Sequence, residues 1–293
     1  MTLTWLLIGE TLGGIRVALE LNVLVMNKTK LNINNKVLQI NGSGLFSKEE
    51  VSVSISKIQQ DSGIIFNLDN EKISAVVDNV SHSNRNTVLT KGSKSICLVE
   101  HFLAACSLLG IDDIEAVTDK NELIFDDGSA IHWYKLFLDN GFVSSVNEKY
   151  DLADTIFLKS GDKEIAAIPH NGFKVSYFMD WEHPALGKLW ASWQIGDDVE
   201  KLLQARSFAT KEENDFFNAS DRLLTLEEKN FNKKLYEPLE PVHHKILDII
   251  GDLRLSGINP LEINMHVIGF KSGHSLNVEL AKFLSLANLK QTE

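Results

Sequence analysis

One stretch of the sequence, HHKILDIIGD at residues 243–252, predicts a helix and places several polar residues on one of its faces. Residues four apart stack above one another on a helix, so His244, Asp248 and Asp252 fall on one face. Apolar residues at other positions would hold this helix against a core: Ile246, Leu247, Ile249, Ile250 and Leu253. Pro241 suits the first turn of the helix and Gly257 suits its end.

A second apolar run, SICLVEHFLAACSLLG at residues 95–110, has helical periodicity and carries the adjacent pair Glu100 and His101. An imidazole and a carboxylate one turn apart can hold a metal ion that takes its third ligand from another helix. We therefore predict that His101, His244 and Asp248 bind a metal, with Glu100 beside them. The alternative is a surface pair or a capped core histidine, because an isolated His-x-x-x-Asp pattern usually has one of these roles.

The predicted ligands favour hydrolytic chemistry. Two imidazoles and one carboxylate around Zn²⁺ leave a position for water, and the same ligands also suit iron. Glu100 is placed to act as general base. His274, in a Gly-His-Ser turn expected to be flexible, is the predicted acid and oxyanion partner, with Asp252 keeping it protonated. We expect Lys245 to project off the metal face and to meet a phosphate.

Other catalytic patterns are missing from the sequence. It contains no Walker loop, no Gly-x-Ser-x-Gly elbow and no His-Glu-x-x-His motif. Residues 127–129, Asp-Gly-Ser, are interpreted as a tight turn between a strand and a helix.

Composition excludes some classes of function. A net charge of -11 argues against a nucleic-acid binder, which needs a basic face. The first 25 residues are apolar but include Glu10, Arg16 and Glu20, which fits neither a membrane span nor a signal peptide. We expect an appended element or an overlong gene start, with translation from Met26 as the second possibility.

The chain has two cysteines, Cys97 and Cys106. Both fall in the run that we interpret as one helix, where they would be too far apart to form a disulfide. Buried thiols in a reducing compartment are expected, which favours a cytoplasmic protein.

Period-two and helical patterns are mixed along the chain, which predicts an α+β fold. The two halves share one plan, because each has a histidine-bearing helix, a strand, a turn and a final helix. We predict two similar domains, each with a β-sheet layered with two helices, and an active site at their interface. The predicted boundaries are 1–35 for an N-terminal extension, 36–147 for the first domain and 148–293 for the second. The alternative is that any two α+β halves look alike at this level of detail.

Seven segments in matching order resemble the zinc-dependent UDP-3-O-acyl-N-acetylglucosamine deacetylases of bacterial lipid A biosynthesis. They are INGSGLFS (40–47), VEHFLAA (99–105), DDGSA (126–130), NGFKVSY with WEHPALG (171–187), ARSF (205–208), EPVHHKILDIIGDL (240–253) and KSGHSLN (271–277). The combination of VEH, HKxLDxIGD and SGHSLN is specific to that family.

The resemblance assigns roles to matching positions. It implies that His101, His244 and Asp248 bind zinc, that Glu100 is the base, and that His274 is the acid oriented by Asp252. Substrate contacts are implied for Lys245 with the nucleotide or its diphosphate, Ser207 with the substrate carbonyl in place of the usual threonine, and Phe208 with the sugar.

Three departures concern the substrate. Phe46 stands where the family usually has histidine, and Ile168 where many members have a basic residue. The segment 209–234 is shorter and more polar than the glycine-rich insertion that helps to form the family's acyl passage.

The leading hypothesis is a cytoplasmic, zinc-dependent deacetylase that hydrolyses the 2-acetamido group of UDP-3-O-(3-hydroxyacyl)-N-acetylglucosamine and releases acetate. The expected partner is this acylated UDP-amino-sugar, with no nucleic acid, no stable membrane insertion and a monomeric protein. The alternatives are a zinc amidohydrolase for a different N-acetylated sugar nucleotide, and a sugar-nucleotide-binding paralogue without catalysis.

Overall fold

A computed structural model describes residues 36–146, 149–219, 222–287 and 289–291 of the chain. The predicted extension over residues 1–35 therefore lies outside the described residues, and the boundary near residue 147 stays a prediction. Among the helices that the structure describes, none combines the length and apolar character needed to cross a membrane.

The first half contains a five-stranded sheet, a small three-stranded sheet and two α-helices. In chain order the elements are β1 (Val37–Ser43), β2 (Glu50–Lys57), β3 (Ile64–Leu68), β4 (Glu71–Ser74), β5 (Val80–His82), β6 (Val88–Lys91), β7 (Lys94–Cys97), α1 (Glu100–Leu108), β8 (Ile114–Thr118) and α2 (Ile131–Asp139). The larger sheet has the order β1-β2-β8-β3-β4, and the smaller has β5-β6-β7. In β2, Val51, Val53 and Ile55 are fully buried, as the period-two alternation predicts.

The second half is built around another sheet with the order β10-β11-β16-β12-β13. In chain order the elements are β9 (Tyr150–Asp151), β10 (Ile156–Ser160), β11 (Lys163–Pro169), β12 (Lys174–Trp181), β13 (Gly187–Gln194), α3 (Glu200–Gln204), β14 (Phe208–Thr210), α4 (Lys211–Phe217), β15 (Leu224–Leu226), α5 (Glu240–Leu253), β16 (Ile263–Phe270), α6 (His274–Leu286) and β17 (Lys290–Gln291). The short strands β9 and β17 pair with each other, and β9 also pairs with β16.

The two large sheets have the same topology, which confirms the predicted α+β fold with two similar halves. In each sheet the first two neighbouring pairs are antiparallel, the third is parallel and the last is antiparallel. In each half the strand before the final helix, β8 or β16, lies at the centre of the sheet. The helix before that strand carries the predicted metal ligands, α1 in the first half and α5 in the second.

Helices α1 and α5 approach each other unusually closely at Gly251. A Cβ atom added at Gly251 would lie 2.0 Å from the backbone oxygen of Glu100, so only glycine fits this crossing. Every residue of α5 except Lys245 is buried. The polar side chains of α5 are thus held in the interior, where they need protein or metal partners.

Part of the prediction for residues 95–110 was wrong. Cys97 ends strand β7, and helix α1 begins only at Glu100. Between them Leu98 adopts a left-handed backbone with φ 62°, which turns the chain from strand to helix without a glycine. Cys97 and Cys106 are both free thiols, as predicted, but they lie on different elements, and only Cys106 is fully buried.

The end of α5 agrees with the sequence signals, whereas the start of α6 does not. After α5 a 3-10 turn ends at Gly257, whose φ of 87° fits its predicted role as a stop. His274 does not lie on a flexible turn, because it is the first residue of α6 and Gly273 is the extended N-cap before it. The imidazole is therefore carried by a helix rather than by a loop.

Candidate active site

Three helices bring the predicted catalytic side chains together. Glu100 and His101 stand in the first turn of α1, and His244, Asp248 and Asp252 follow one another along α5. His274 opens α6 beside them. All six side chains are buried, between 0% and 8% exposed, so their charges need partners in the protein or a metal ion.

The donor atoms of His101, His244 and Asp248 all lie within 4.8 Å of one another and form a group that could hold a metal. Asp248 Oδ1 is 3.4 Å from His101 Nε2 and 3.4 Å from His244 Nε2. Two ligands of a tetrahedral zinc ion, each bound at about 2.0–2.1 Å, would stand about 3.4 Å apart. His101 Nε2 and Asp248 Oδ1 are buried and have no hydrogen-bond partner among the described residues, as expected for atoms that face a cation.

Charge states in this group also fit a metal. Burial lowers the pKa of His244 well below its usual value, although Asp248 opposes the shift, so the imidazole is neutral. Burial alone would raise the pKa of Asp248, but the neighbouring cations Lys245 and His274 hold it well below its usual range. A neutral imidazole and an ionised carboxylate are the forms that bind a metal ion.

Beside the group formed by His101, His244 and Asp248 lies a buried pair of His274 and Asp252. The Nδ1–H group of His274 donates to Asp252 Oδ2 at 2.8 Å, the contact that the predicted role of Asp252 requires. Burial would lower the pKa of His274, but Asp252 and Asp248 raise it to about 9, so the ring is a cation at neutral pH. Its Nε2 atom, 3.8 Å from Asp248 Oδ2, is on the side of the predicted metal ligands.

Glu100 is a buried carboxylate that does not belong to the group formed by His101, His244 and Asp248. Burial raises the pKa of Glu100, and the nearby histidines His274 and His101 counteract this shift. A carboxylate with a raised pKa is a stronger base than a solvent-exposed glutamate, as a proton acceptor in catalysis requires.

The orientation predicted for Lys245 was wrong. Its Nζ atom donates to Asp248 Oδ2 at 2.9 Å and lies 5.5 Å from the ring centre of Phe208, so it points into the site. Positions three apart on a helix are neighbours, and the long lysine side chain reaches the carboxylate from there.

Ser207 and Phe208 join the site from the start of β14. Ser207 Oγ lies 3.1 Å from His244 Nε2 and donates to the backbone oxygen of Gly128 at 3.1 Å. The Phe208 ring stands 5.7 Å from the His244 ring, edge to face. Gly128, with φ 84°, lies in the predicted turn and also accepts the Ser207 N–H at 2.8 Å. The turn therefore holds Ser207 against α5.

Most of the chain matches a known protein family. A family model described as LpxC, UDP-3-O-acyl N-acetylglycosamine deacetylase, matches residues 32–285. The chain belongs to this family.

Curated relatives of the chain carry the same name, UDP-3-O-acyl-N-acetylglucosamine deacetylase. The protein from Trichormus variabilis is 31% identical over 270 residues, which cover 84% of this chain and 95% of the relative. The protein from Syntrophotalea carbinolica is 30% identical over 273 residues, or 87% of each chain. The protein from Coxiella burnetii is 31% identical over 268 residues, covering 85% and 88%. The family predicted from the sequence motifs is thus confirmed.

Some site residues in this member of the deacetylase family were not predicted. Thr87 donates to Asp252 Oδ1 at 2.6 Å, and Asn277 donates to Asp252 Oδ2 at 2.9 Å. Arg206, next to Ser207, forms a buried ion pair with Glu240 at the start of α5. A SLN motif contains Asn277 and offered a signal, whereas an isolated threonine gave none.

The three departures from the deacetylase pattern lie in defined places. Phe46 is 37% exposed and stacks edge to face on Phe217 of α4, with 5.6 Å between ring centres. Ile168 lies on β11 opposite His266. The short segment after Phe208 contains α4 between the parallel strands β14 and β15.

Proposed function

We propose that this chain is a zinc-dependent deacetylase of lipid A biosynthesis that hydrolyses the 2-acetamido group of UDP-3-O-(3-hydroxyacyl)-N-acetylglucosamine. The observation that carries this proposal is the buried group His101, His244 and Asp248 beside a carboxylate and an imidazolium. The names of the relatives support the substrate and the reaction.

The proposed metal is zinc, held by His101, His244 and Asp248. Their two imidazoles and one carboxylate, with unpartnered atoms that face one another, suit this ion. When bound, the ion supplies Lewis-acid chemistry, since it polarises the amide carbonyl and acidifies water.

Glu100 and His274 are proposed to carry out two different proton transfers, one from water and one to the departing nitrogen. Glu100 accepts a proton from water as the water oxygen attacks the carbonyl carbon of the acetamido group. The His274 imidazolium stabilises the negative charge on the carbonyl oxygen and then gives its proton to the nitrogen as the carbon–nitrogen bond breaks. The products are acetate and a sugar with a free 2-amino group. Asp252, which accepts from His274 Nδ1, keeps the imidazolium charged until this step.

Ser207, Phe208 and Lys245 are proposed to bind the substrate. Ser207 Oγ, close to His244, would donate to the substrate carbonyl after its hydroxyl rotates away from the Gly128 oxygen, and the Phe208 ring offers a flat surface to the sugar. Lys245 pairs with Asp248 in the free protein. That attraction weakens when Asp248 neutralises a cation, so the Lys245 ammonium group becomes available to the substrate diphosphate.

We further propose that the protein works in the cytoplasm as a monomer. Its two cysteines are free thiols, which suits a reducing compartment. The expected partner is a small acylated UDP-amino-sugar rather than a nucleic acid, since the chain carries a net charge of -11.

A second candidate keeps the chemistry and changes the substrate to a different N-acetylated sugar nucleotide. It is favoured by Phe46, which replaces the usual histidine and lies against Phe217. The loss of one polar group and the gain of an aromatic contact alter the surface that a substrate meets. Ile168 likewise offers no charge to a nucleotide.

The test is amine release from UDP-3-O-(3-hydroxyacyl)-N-acetylglucosamine and from UDP-N-acetylglucosamine by the zinc-loaded protein. Release from the acylated substrate, lost in Glu100→Gln, is the expected result, because glutamine keeps the shape but cannot accept the proton. Release only from the unacylated sugar nucleotide would support the second candidate. Zinc retention without amine release from either substrate would contradict both candidate functions. Glu279→Gln, on the exposed side of α6, is the matched control.

A further inference from the structure

We propose that Thr87 is a positioning residue that fixes the acid-base pair of this site. This inference rests on the proposed function. The groups that move protons lie on different helices, Glu100 on α1, Asp252 on α5 and His274 on α6. Thr87 comes from a fourth place, the loop before β6 in the small sheet.

Thr87 contacts two of these groups at once. Its hydroxyl donates to Asp252 Oδ1 at 2.6 Å, and its backbone N–H donates to Glu100 Oε2 at 3.2 Å. The residue is fully buried. One residue therefore links the carboxylate that orients the acid to the carboxylate that acts as base.

The bond to Asp252 decides how that carboxylate is oriented. Asp252 Oδ2 already accepts from His274 Nδ1 and from Asn277 Nδ2. Among the described residues, Thr87 supplies the hydrogen bond to the other oxygen, Oδ1. With donors on both oxygens the carboxylate cannot rotate, so the plane and position of the His274 ring are fixed.

The loop that carries Thr87 is itself fastened on both sides. The backbone oxygen of Ser83 accepts from Ser275 Oγ, next to His274, at 2.6 Å. Arg85 pairs with Glu213 of α4 and lies 5.5 Å from the Phe217 ring centre. Thr87 is therefore held in place independently of Asp252, which a positioning group requires.

The test compares Thr87→Val, which removes the hydroxyl but keeps the shape and the N–H, with Thr87→Ser, which keeps the hydroxyl. A hydrogen bond to a charged group of this strength corresponds to a kcat loss of about 10- to 100-fold. We expect this loss in Thr87→Val, with KM within about 3-fold and zinc content unchanged, and recovery in Thr87→Ser.

Thr118→Val is the matched control, since Thr118 is also a buried threonine but donates to the backbone oxygen of Lys120. It should lose similar stability and keep its kcat. If Thr87→Val does not fold, Thr87→Ala takes its place. Equal kcat losses in Thr87→Val and Thr118→Val, or no recovery in Thr87→Ser, would overturn the proposal.

A second readout needs no substrate. In zinc-loaded protein with ¹⁵N-labelled histidine, the His274 Nδ1–H proton should give a low-field resonance, assigned by its loss in His274→Gln. We expect it to move upfield or broaden in Thr87→Val and to stay in Thr87→Ser. An unchanged resonance in Thr87→Val would overturn the positioning role. A changed resonance in a protein that hydrolyses neither substrate would instead leave Thr87 in its role and refute the proposed function.

Discussion

The close crossing of α1 and α5 gives a prediction in which two physical effects oppose each other. Gly251 lies inside α5, where alanine would favour the helix by about 1 kcal/mol. However, the alanine Cβ would lie 2.0 Å from the Glu100 backbone oxygen, and real Cβ atoms essentially never come within 3.0 Å of such an atom. The helices must therefore separate by about 1 Å, because a backbone atom cannot rotate away.

Overpacking of this kind costs about 1–3 kcal/mol, and a backbone obstacle places Gly251→Ala near the upper value. After the gain in helix propensity, we expect a net loss of about 2 kcal/mol in the free energy of unfolding. In the wild type, His101 Nε2 on α1 lies 3.4 Å from Asp248 Oδ1 on α5. Separation of the two helices would increase this distance. Zinc affinity should fall by about 10- to 100-fold.

Urea unfolding of the metal-free protein and competition with a zinc chelator measure the two effects. Gly273→Ala is the control, since a Cβ atom there meets nothing within 4 Å and φ is -143°. Its stability should change by less than about 1 kcal/mol, with zinc affinity unchanged. If Gly251→Ala were as stable as the wild type or more stable, with the same zinc affinity, the close approach at Gly251 would not limit how α1 and α5 pack.

Three further predictions concern the charged groups. Glu240→Gln should cost about 3–5 kcal/mol of stability in urea unfolding, because it leaves Arg206 as a buried unpaired charge; a loss below about 1 kcal/mol would contradict this. Asp248→Ala should abolish zinc retention, whereas His274→Ala should keep zinc and lose rate; full activity of the second variant would refute the acid role. The rate should rise with pH as Glu100 loses its proton, and burial raises the pKa of this group. The rate should fall again as His274 loses its proton at or below about pH 9, because a bound cation opposes the imidazolium. A pH–rate profile that stays flat up to pH 10 in the wild type would contradict that assignment.

Much of the scaffold could be predicted because local patterns and tertiary packing agree. The alternation in β2 predicts its buried face, and the helical spacing of α5 predicts an apolar face against the core. Both faces lie inward in the structure, and the rest of α5 except Lys245 is buried as well. Spacing on one helix also placed His244 and Asp248 together, since i and i+4 are neighbours wherever the helix packs. The repeated order of helix, strand, turn and helix also predicted that the two halves have similar folds.

The misplaced boundaries have backbone causes that residue types do not reveal. The apolar run through Cys97 looked like one helix, but Leu98 takes a left-handed conformation that leucine rarely adopts. Gly273 suggested a flexible turn, yet it is an extended N-cap that starts a helix at His274. In each case the decisive quantity is a φ angle set by the surrounding fold.

Contacts between distant parts of the chain were beyond sequence spacing. Thr87 and Asp252 are 165 residues apart, and no periodicity relates them. The position of Lys245 on its helix predicted a direction away from the metal, whereas the flexibility of its side chain lets it reach Asp248. Both facts require the packed arrangement of the helices.

One metal ion, held by His101, His244 and Asp248, is proposed to enable amide hydrolysis in this site. The most direct measurement is the rate of amine release from UDP-3-O-(3-hydroxyacyl)-N-acetylglucosamine as zinc is added stepwise to metal-stripped protein. We predict almost no release without metal and a linear rise that ends at about one equivalent of zinc, in keeping with a single three-ligand site. Undiminished release by the stripped protein, or none after one equivalent is bound, would show that hydrolysis does not depend on a metal at these three residues.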